Sequence, residues 1–414
     1  MLPIDDDRNT PTDPIVYRAG EAGSLSGAST EHTSDSDGLM FSDSGSIHTM
    51  STLQSTEVAD YFRSVFGYTF PTDENVPLLF PTDTTADRLD VIMHLIVRLC
   101  RDGMNVPAPV DEMLRKGGVD GRGTGARVLD MVTNSGTWVG EMASIYSTPK
   151  FISLDTKPLV PHKPHARISY QVYNFYAGIM EQDATFDLVH LRQGVYAVSR
   201  PAPRVKPQIQ TPQVLNCDSV TLQTKDFNSL LRELHRVLKP NGFLLITELP
   251  IQTYEGNPPV PFHSGAHMAQ GIEFVLDACK AEGADTTAWQ DMNARLEPSH
   301  QLWGNVKPNA LGQHPSPNKE TYGTRPVRGF HSIHLHKVPV SFGAWPSDEH
   351  QKVIGGLIRL WSFHHSASLL PVIVLRGVDE DQAKRFVEKL LQEITDADKY
   401  RAHLILHMWS ARKL

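Results

Sequence analysis

The stretch Arg127 to Trp138, RVLDMVTNSGTW, constrains the fold of this 414-residue chain more than any other. Its apolar start fits a short strand ending on Asp130, and the small residues that follow fit a loop that opens a helix. A strand, tight loop and helix in this order put backbone N–H groups and a helix N-terminus at the carboxyl end of a parallel strand, where nucleotide-like ligands bind in open α/β sheets. One glycine, Gly136, stands in the loop. Close backbone approach to a ligand therefore falls to Val132 and Asn134.

A second apolar strand ending in an acid follows at Phe151-Ile-Ser-Leu-Asp155, about 25 residues after Asp130. A carboxylate in that position can accept both hydroxyls of a ribose. Nicotinamide enzymes and S-adenosylmethionine enzymes share this geometry, so the rest of the chain has to choose between them. Phe186 to Arg192, FDLVHLR, reads as a fourth strand. Asp226 then caps a helix, DFNSLLRELHRVLK, with Phe227, Leu230, Leu231, Leu234, Val237 and Leu238 on one face. Pro240-Asn241-Gly242 stops that helix, and Phe243 to Leu249, FLLITEL, suits a strand buried on both faces.

Strand, helix, L-K-P-N-G, strand and terminal acid in this sequence resemble the class I S-adenosylmethionine-dependent methyltransferases. Phe80-Pro81-Thr82-Asp83 with Asp87-Arg88-Leu89-Asp90, followed by an amphipathic helix with Ile92, Leu95, Ile96 and Leu99 inward, together with His190-Leu191-Arg192 and the run Pro339 to Pro346 (PVSFGAWP), are similar to the LaeA-like fungal group. The resemblance spans roughly residues 60 to 412, in pieces separated by insertions. It implies an α/β fold: a seven-stranded Rossmann-like sheet of order 3-2-1-4-5-7-6, helices on both faces and an antiparallel last strand. The terminal hairpin is read from Phe330 to Val338 and Ala402 to Ser410, with a helix from Asp379 to Ile394 between them. Asp379 and Gln382 have capping-box spacing there, and Phe386, Leu390 and Leu391 form the buried face. A nicotinamide domain has no need of such a hairpin.

The resemblance also implies the activity: methyl transfer from S-adenosylmethionine to an acceptor that is a small molecule or a protein, tied to fungal secondary metabolism or development. Asp130, Val132, Asn134 and Gly136 stand where the family reads D-x-G-x-G-x-G, and Asp155 stands at the ribose position. If Val132 must adopt φ > 0, about 1–3 kcal/mol of strain follows, whereas Asn134 tolerates that geometry better. After Ile168-Ser-Tyr-Gln-Val172 the family carries a pair of acids. This chain has Tyr173 and Asn174, and Asn174 can still accept from the adenine amino group through its carbonyl.

Methyl transfer needs donor and acceptor held in line, and a base only where the acceptor must lose a proton. His190, at the end of the fourth strand, is the candidate base, with a structural bond to neighbouring backbone as the alternative. Arg192 and Tyr196 are candidates for the same pocket. The departures from the glycine pattern leave a second reading open: a methyltransferase-like scaffold or regulatory subunit that has lost catalysis and acts through a protein partner.

Composition excludes other classes. A net charge of −8 and a pI near 6.2 give no footprint for nucleic acid. Cys100, Cys217 and Cys279 are odd in number and widely spaced, which fits a reduced compartment, cytoplasm or nucleus. No run reaches the 18 apolar residues of a membrane span. His331, His334 and His336 look like a metal cluster. On a regular strand, however, His331 faces away from the other two and no acid or cysteine completes a set, so no metal is expected.

Residues 1–57, rich in Ser, Thr, Asp and Gly, bury too little to offset the entropy of ordering and are expected to form a disordered tail. The domain is expected over 58–414, with cap helices at 58–118 and Pro-rich insertions at 200–222 and 304–328. The first insertion leaves the ligand-binding edge of the sheet and is read either as a passive loop or as a flap over the substrate. Limited proteolysis should trim about the first 57 residues and leave the remainder intact; a protease-resistant N-terminus contradicts the tail.

Overall fold

The computed structural model describes residues 58–72, 81–82, 84–121, 125–158, 165–173, 175, 178–194, 227–256, 258–281, 284–304 and 328–414. The expected tail, all of 200–222, nearly all of 304–328, and the candidates Asn174 and Tyr196 lie outside the described residues.

The described chain opens on a 3-10 turn and a hairpin, β1 (Phe62–Val65) and β2 (Tyr68–Pro71), before the helices α1 (Thr84–Leu99) and α2 (Ala108–Arg115). The region expected to hold only cap helices thus begins in strand, because Phe66-Gly67 takes positive φ at both turn positions and closes a two-residue hairpin. Next come β3 (Arg127–Met131), α3 (Thr137–Ile145), β4 (Lys150–Asp155), β5 (Ile168–Val172), β6 (Phe186–Arg192), α4 (Phe227–Val237) and β7 (Leu238–Glu248). The remainder holds β8 (Tyr254–Glu255), β9 (Val260–Pro261), α5 (Ala266–Ala281), α6 (Met292–Leu296), β10 (Phe330–Ser341), α7 (Glu349–Ala367), α8 (Leu370–Leu375), α9 (Glu380–Thr395) and β11 (His403–Lys413).

Counted from β3, seven strands run in the order 3-2-1-4-5-7-6, and β11 lies antiparallel between β7 and β10. The sheet has nine strands rather than seven. β11 outruns β7, whose last paired residue Glu248 faces His407, and β8 takes up the vacant edge at His403 with β9 beside it. All seven residues of β6 are buried, as a central parallel strand covered on both faces requires. Alternate residues divide between two cores. Leu129, Val189, Leu191, Leu244 and Ile246 meet α4, whereas Val128, Leu188 and Leu245 meet α2 and α3. A third core gathers α1, α5, α7 and α9 around Leu404, Leu406 and Met408 of β11.

Three local readings shift. Pairing of β7 with β6 begins at Leu238 and slips before Phe243, so Lys239 to Gly242 form a bulge instead of a loop, with Asn241 at φ 61°. On α1 the inward face is Leu89, Met93, Ile96 and Val97 beside the buried polar pair Asp90 and His94, and Leu95, expected inward, is exposed. In β10 a bulge at Ser332 pairs His331 with Arg412 and His334 with Ser410, which puts His331 on the same face as His334 and His336. Even so, no group of three His, Cys, Asp or Glu side chains converges to hold a metal among the described residues.

The helices between β10 and β11 dock tightly. Asp379 accepts from the Gln382 N–H at 3.1 Å to cap α9, and Asp348 caps α7 in the same way. Gly355 of α7 lies so close to the end of β10 that a Cβ there would sit 1.9 Å from the Gly343 carbonyl oxygen, whereas a Cβ on Gly356 would meet nothing within 4 Å. Gly355→Ala should therefore destabilise the protein by about 1–3 kcal/mol. Gly356→Ala should be neutral or stabilise by up to about 1 kcal/mol through helix propensity. Urea denaturation of the two variants measures both signs.

Candidate functional site

The loop after β3 has left-handed backbone at alternate positions. Val132, Asn134 and Gly136 have φ of 57°, 51° and 72°, so each of the three alternate positions is left-handed. Gly136 takes this geometry freely and Asn134 with little penalty, but a β-branched residue there stores about 1–3 kcal/mol. Several bonds hold the loop. Val132 N–H donates to the Leu154 carbonyl at 3.0 Å, Asn134 Nδ2 donates to the Val132 carbonyl at 3.0 Å, and Thr133 Oγ1 donates to the Asp130 carbonyl at 3.1 Å.

Asp155 ends β4 beside this loop, and its carboxylate accepts from Asn134 N–H at 2.9 Å and from Thr156 N–H at 2.7 Å. It is 4% exposed, and desolvation raises its pKa in spite of Lys157 and the backbone donors. Thr156 Oγ1 also lies 3.5 Å from Oδ1, and the Lys157 backbone donates to the carboxylate too, so part of its four-fold acceptor capacity is already taken by the chain.

Asp130 and His190 lie side by side on β3 and β6, with Oδ1 and Nδ1 2.7 Å apart. Desolvation pushes Asp130 up to about 7, against the pull of Arg192, and drives His190 well below its usual value, helped by Arg192. The imidazole is therefore neutral at neutral pH. It is 4% exposed, with its face stacked on Trp138 at 3.8 Å and 10°. A ring enclosed in this way braces Asp130 and the first turn of α3, whereas a base must reach the acceptor.

Sequence reasoning missed the group that ties the site together. Asp90 of α1 accepts from Arg192 Nη2 at 2.5 Å through one oxygen, and from Ser135 Oγ at 2.5 Å and Ser135 N–H at 3.3 Å through the other. Arg192 also reaches His94 Nδ1 at 3.2 Å, and His94 Nε2 meets Glu141 of α3 at 3.0 Å. Desolvation, then Arg192, lowers the pKa of His94. Glu141 in turn accepts from Arg98 and Asn105, each at 3.0 Å. The signal was present in the four-residue spacing of Asp90 and His94, which puts two polar side chains on one inward line of an amphipathic helix. Tyr173 is committed elsewhere, its hydroxyl accepting from Met180 N–H at 3.1 Å.

No known family profile matches the chain. It is similar to the methyltransferase pytC of Aspergillus terreus, with 22% identity over 283 residues, 68% of this chain and 66% of that protein. It is also similar to the methyltransferase str2 of Strobilurus tenacellus, with 20% identity over 177 residues, 42% of this chain and 53% of that protein. The matches thus span less than two thirds of either relative. Among solved structures, a phosphoethanolamine N-methyltransferase of Haemonchus contortus, in complex with phosphomonomethylethanolamine and S-adenosylhomocysteine, aligns at TM-score 0.35 and 13% identity, covering 83% of this chain and 61% of that one. The [4+2]-cyclase SpnF aligns at 0.31 and 11%, covering 81% and 96%.

Strain at Val132 is open to measurement. Because glycine relieves the left-handed backbone and alanine does not, Val132→Gly should be at least as stable in urea as Val132→Ala, reversing the usual order of the two residues. A Gly variant weaker by about 1 kcal/mol would mean that the loop carries no strain at this position. The sheet order and the fungal methyltransferase relatives together identify a Rossmann-like methyltransferase fold.

Proposed function

We propose that the chain is an S-adenosylmethionine-dependent methyltransferase of fungal secondary metabolism, with the cofactor held by the β3 loop and Asp155. The observation that carries this reading is the left-handed backbone at Val132, Asn134 and Gly136. Positive φ at a β-branched residue is costly, and a loop held in that shape by the chain presents its backbone to a ligand at close range. The charges favour the same cofactor over a dinucleotide. Asp90 fills the Ser135 N–H at the start of α3 and Asp155 fills the Asn134 N–H, so a pyrophosphate would meet carboxylates where it needs donors. A sulfonium ligand brings positive charge instead, and it supplies a methyl group that leaves with neutralisation of the sulfur.

In this reading the remaining lone pairs of Asp155 take the ribose hydroxyls, and Asp155 fixes the loop through Asn134 N–H. His190 is a positioning residue that holds Asp130 against the loop and supports Trp138. Asn174 is retained for the adenine amino group by the resemblance alone. Methyl transfer then rests on alignment of donor and acceptor, with no base from β6.

A second reading, a methyltransferase-like scaffold without catalysis, is favoured by the way Asp90, Asp130 and Asp155 are satisfied within the chain. Calorimetric titration with S-adenosylmethionine and with S-adenosylhomocysteine separates the two. Low-micromolar binding of both is expected, and silence up to millimolar concentrations moves the reading to the scaffold. Asp155→Ala should weaken binding at least tenfold, about 1.4 kcal/mol or more, without a matching fall in melting temperature. Unchanged affinity would remove Asp155 from the site.

A further inference from the structure

A cavity opens where the chain leaves the carboxyl end of β7. Leu249 is its first wall residue, and the space of about 610 Å³, mouth included, runs between α5, α7 and α9. It adjoins the cofactor loop through a short bonded path. Leu249 N–H donates to Gln193 Oε1 at 3.4 Å, and Gln193 follows Arg192, whose guanidinium is bonded to Asp90 and so to Ser135.

The chemistry of the lining is selective. It contains no Asp, Glu, Lys or Arg, and its polar groups are Thr253, Ser362, Ser366 and His365. His365 stacks on Trp361 at 4.6 Å and 19°, which gives α7 one flat aromatic wall. Its apolar surroundings desolvate the ring and lower its pKa to about 4, so it is uncharged at neutral pH. A charged ligand would lose its hydration here and find no counter-ion, whereas a neutral one with a hydroxyl or carbonyl would find hydroxyl partners. Across the cavity Gly271 lets α5 approach α9, since a Cβ there would lie 3.2 Å from Leu390 Cδ2.

We infer that this cavity binds a neutral, largely apolar, ring-bearing small molecule carrying a hydroxyl or carbonyl group, stacked on the Trp361–His365 wall. Given the reading proposed above, on which this last step alone rests, that molecule is the methyl acceptor.

The test uses 2-naphthol as the neutral probe and 2-naphthoate as its charged counterpart, titrated calorimetrically into the full chain at pH 7. Saturable binding of 2-naphthol is expected, with 2-naphthoate at least tenfold weaker. Ser362→Leu, which fills the cavity from α7, should weaken 2-naphthol at least tenfold and leave S-adenosylhomocysteine affinity unchanged. Ser366→Leu, one turn further on, serves the same purpose if Ser362→Leu does not fold. Absence of saturable 2-naphthol binding, equal binding of the two probes, or unchanged binding in the folded filled variants would each overturn the site. Loss of cofactor binding with the naphthol site intact would instead remove only the acceptor role.

Discussion

The buried carboxylate of Asp90 is the contact on which the candidate site depends. It joins three parts of the chain that are distant in sequence: the cap helix α1, the end of β6 through Arg192, and the β3 loop through Ser135. An ion pair this deep is not a large source of stability, because desolvation of both charges offsets most of their attraction. Its effect is specificity of arrangement. Removing either partner leaves an uncompensated buried charge, so α1 cannot slide along the sheet without breaking a bond to the loop.

That constraint accounts for how a loop with a single glycine holds three left-handed residues. The cost at Val132 is local, about 1–3 kcal/mol, and the compensation is distributed. It comes from the Asp90 bonds to Ser135, the Asp155 bond to Asn134, and the braces under Asp130 from His190 and Thr133 Oγ1. Asp130 and His190 contribute a further element, since burial keeps the imidazole neutral and the pair remains a single hydrogen-bonded unit instead of two charges.

Much of the architecture was legible because its signals are periodic or local. The seven buried residues of β6, the alternate apolar residues of β3 and β7, and the Asp379 cap on α9 all follow from pattern. What escaped was set by tertiary contact. On α1, Ile92, Ile96 and Leu99 pack inward as their spacing implies, but Leu95 is exposed, and Asp90 and His94 look like surface residues until Arg192 and Glu141 supply their partners. The strands β8 and β9 depend on the length by which β11 outruns β7, and the bulge at Ser332 on the pairing of β10 with β11, quantities that no single segment encodes. The place of His190 at the end of β6 was legible, but the stacking of Trp138 on its ring is not readable from spacing.

The same helix that fixes the loop also enters the core that walls the cavity. While Asp90 and His94 face the site, Met93, Ile96 and Val97 enter the core that contains Ile354 and Ile358 of α7. α7 carries the Trp361–His365 wall of the cavity, two turns beyond Ile354. Loop and cavity are thus braced by adjoining polar and apolar lines on the inward face of one rigid element. A shift of α1 large enough to disturb the loop must also repack α7, and close-packed cores resist such repacking because each methyl group is felt by its neighbours. Preorganisation of both surfaces therefore follows from the amphipathic pattern of a single sixteen-residue helix, whose polar line holds the loop and whose apolar line holds the wall.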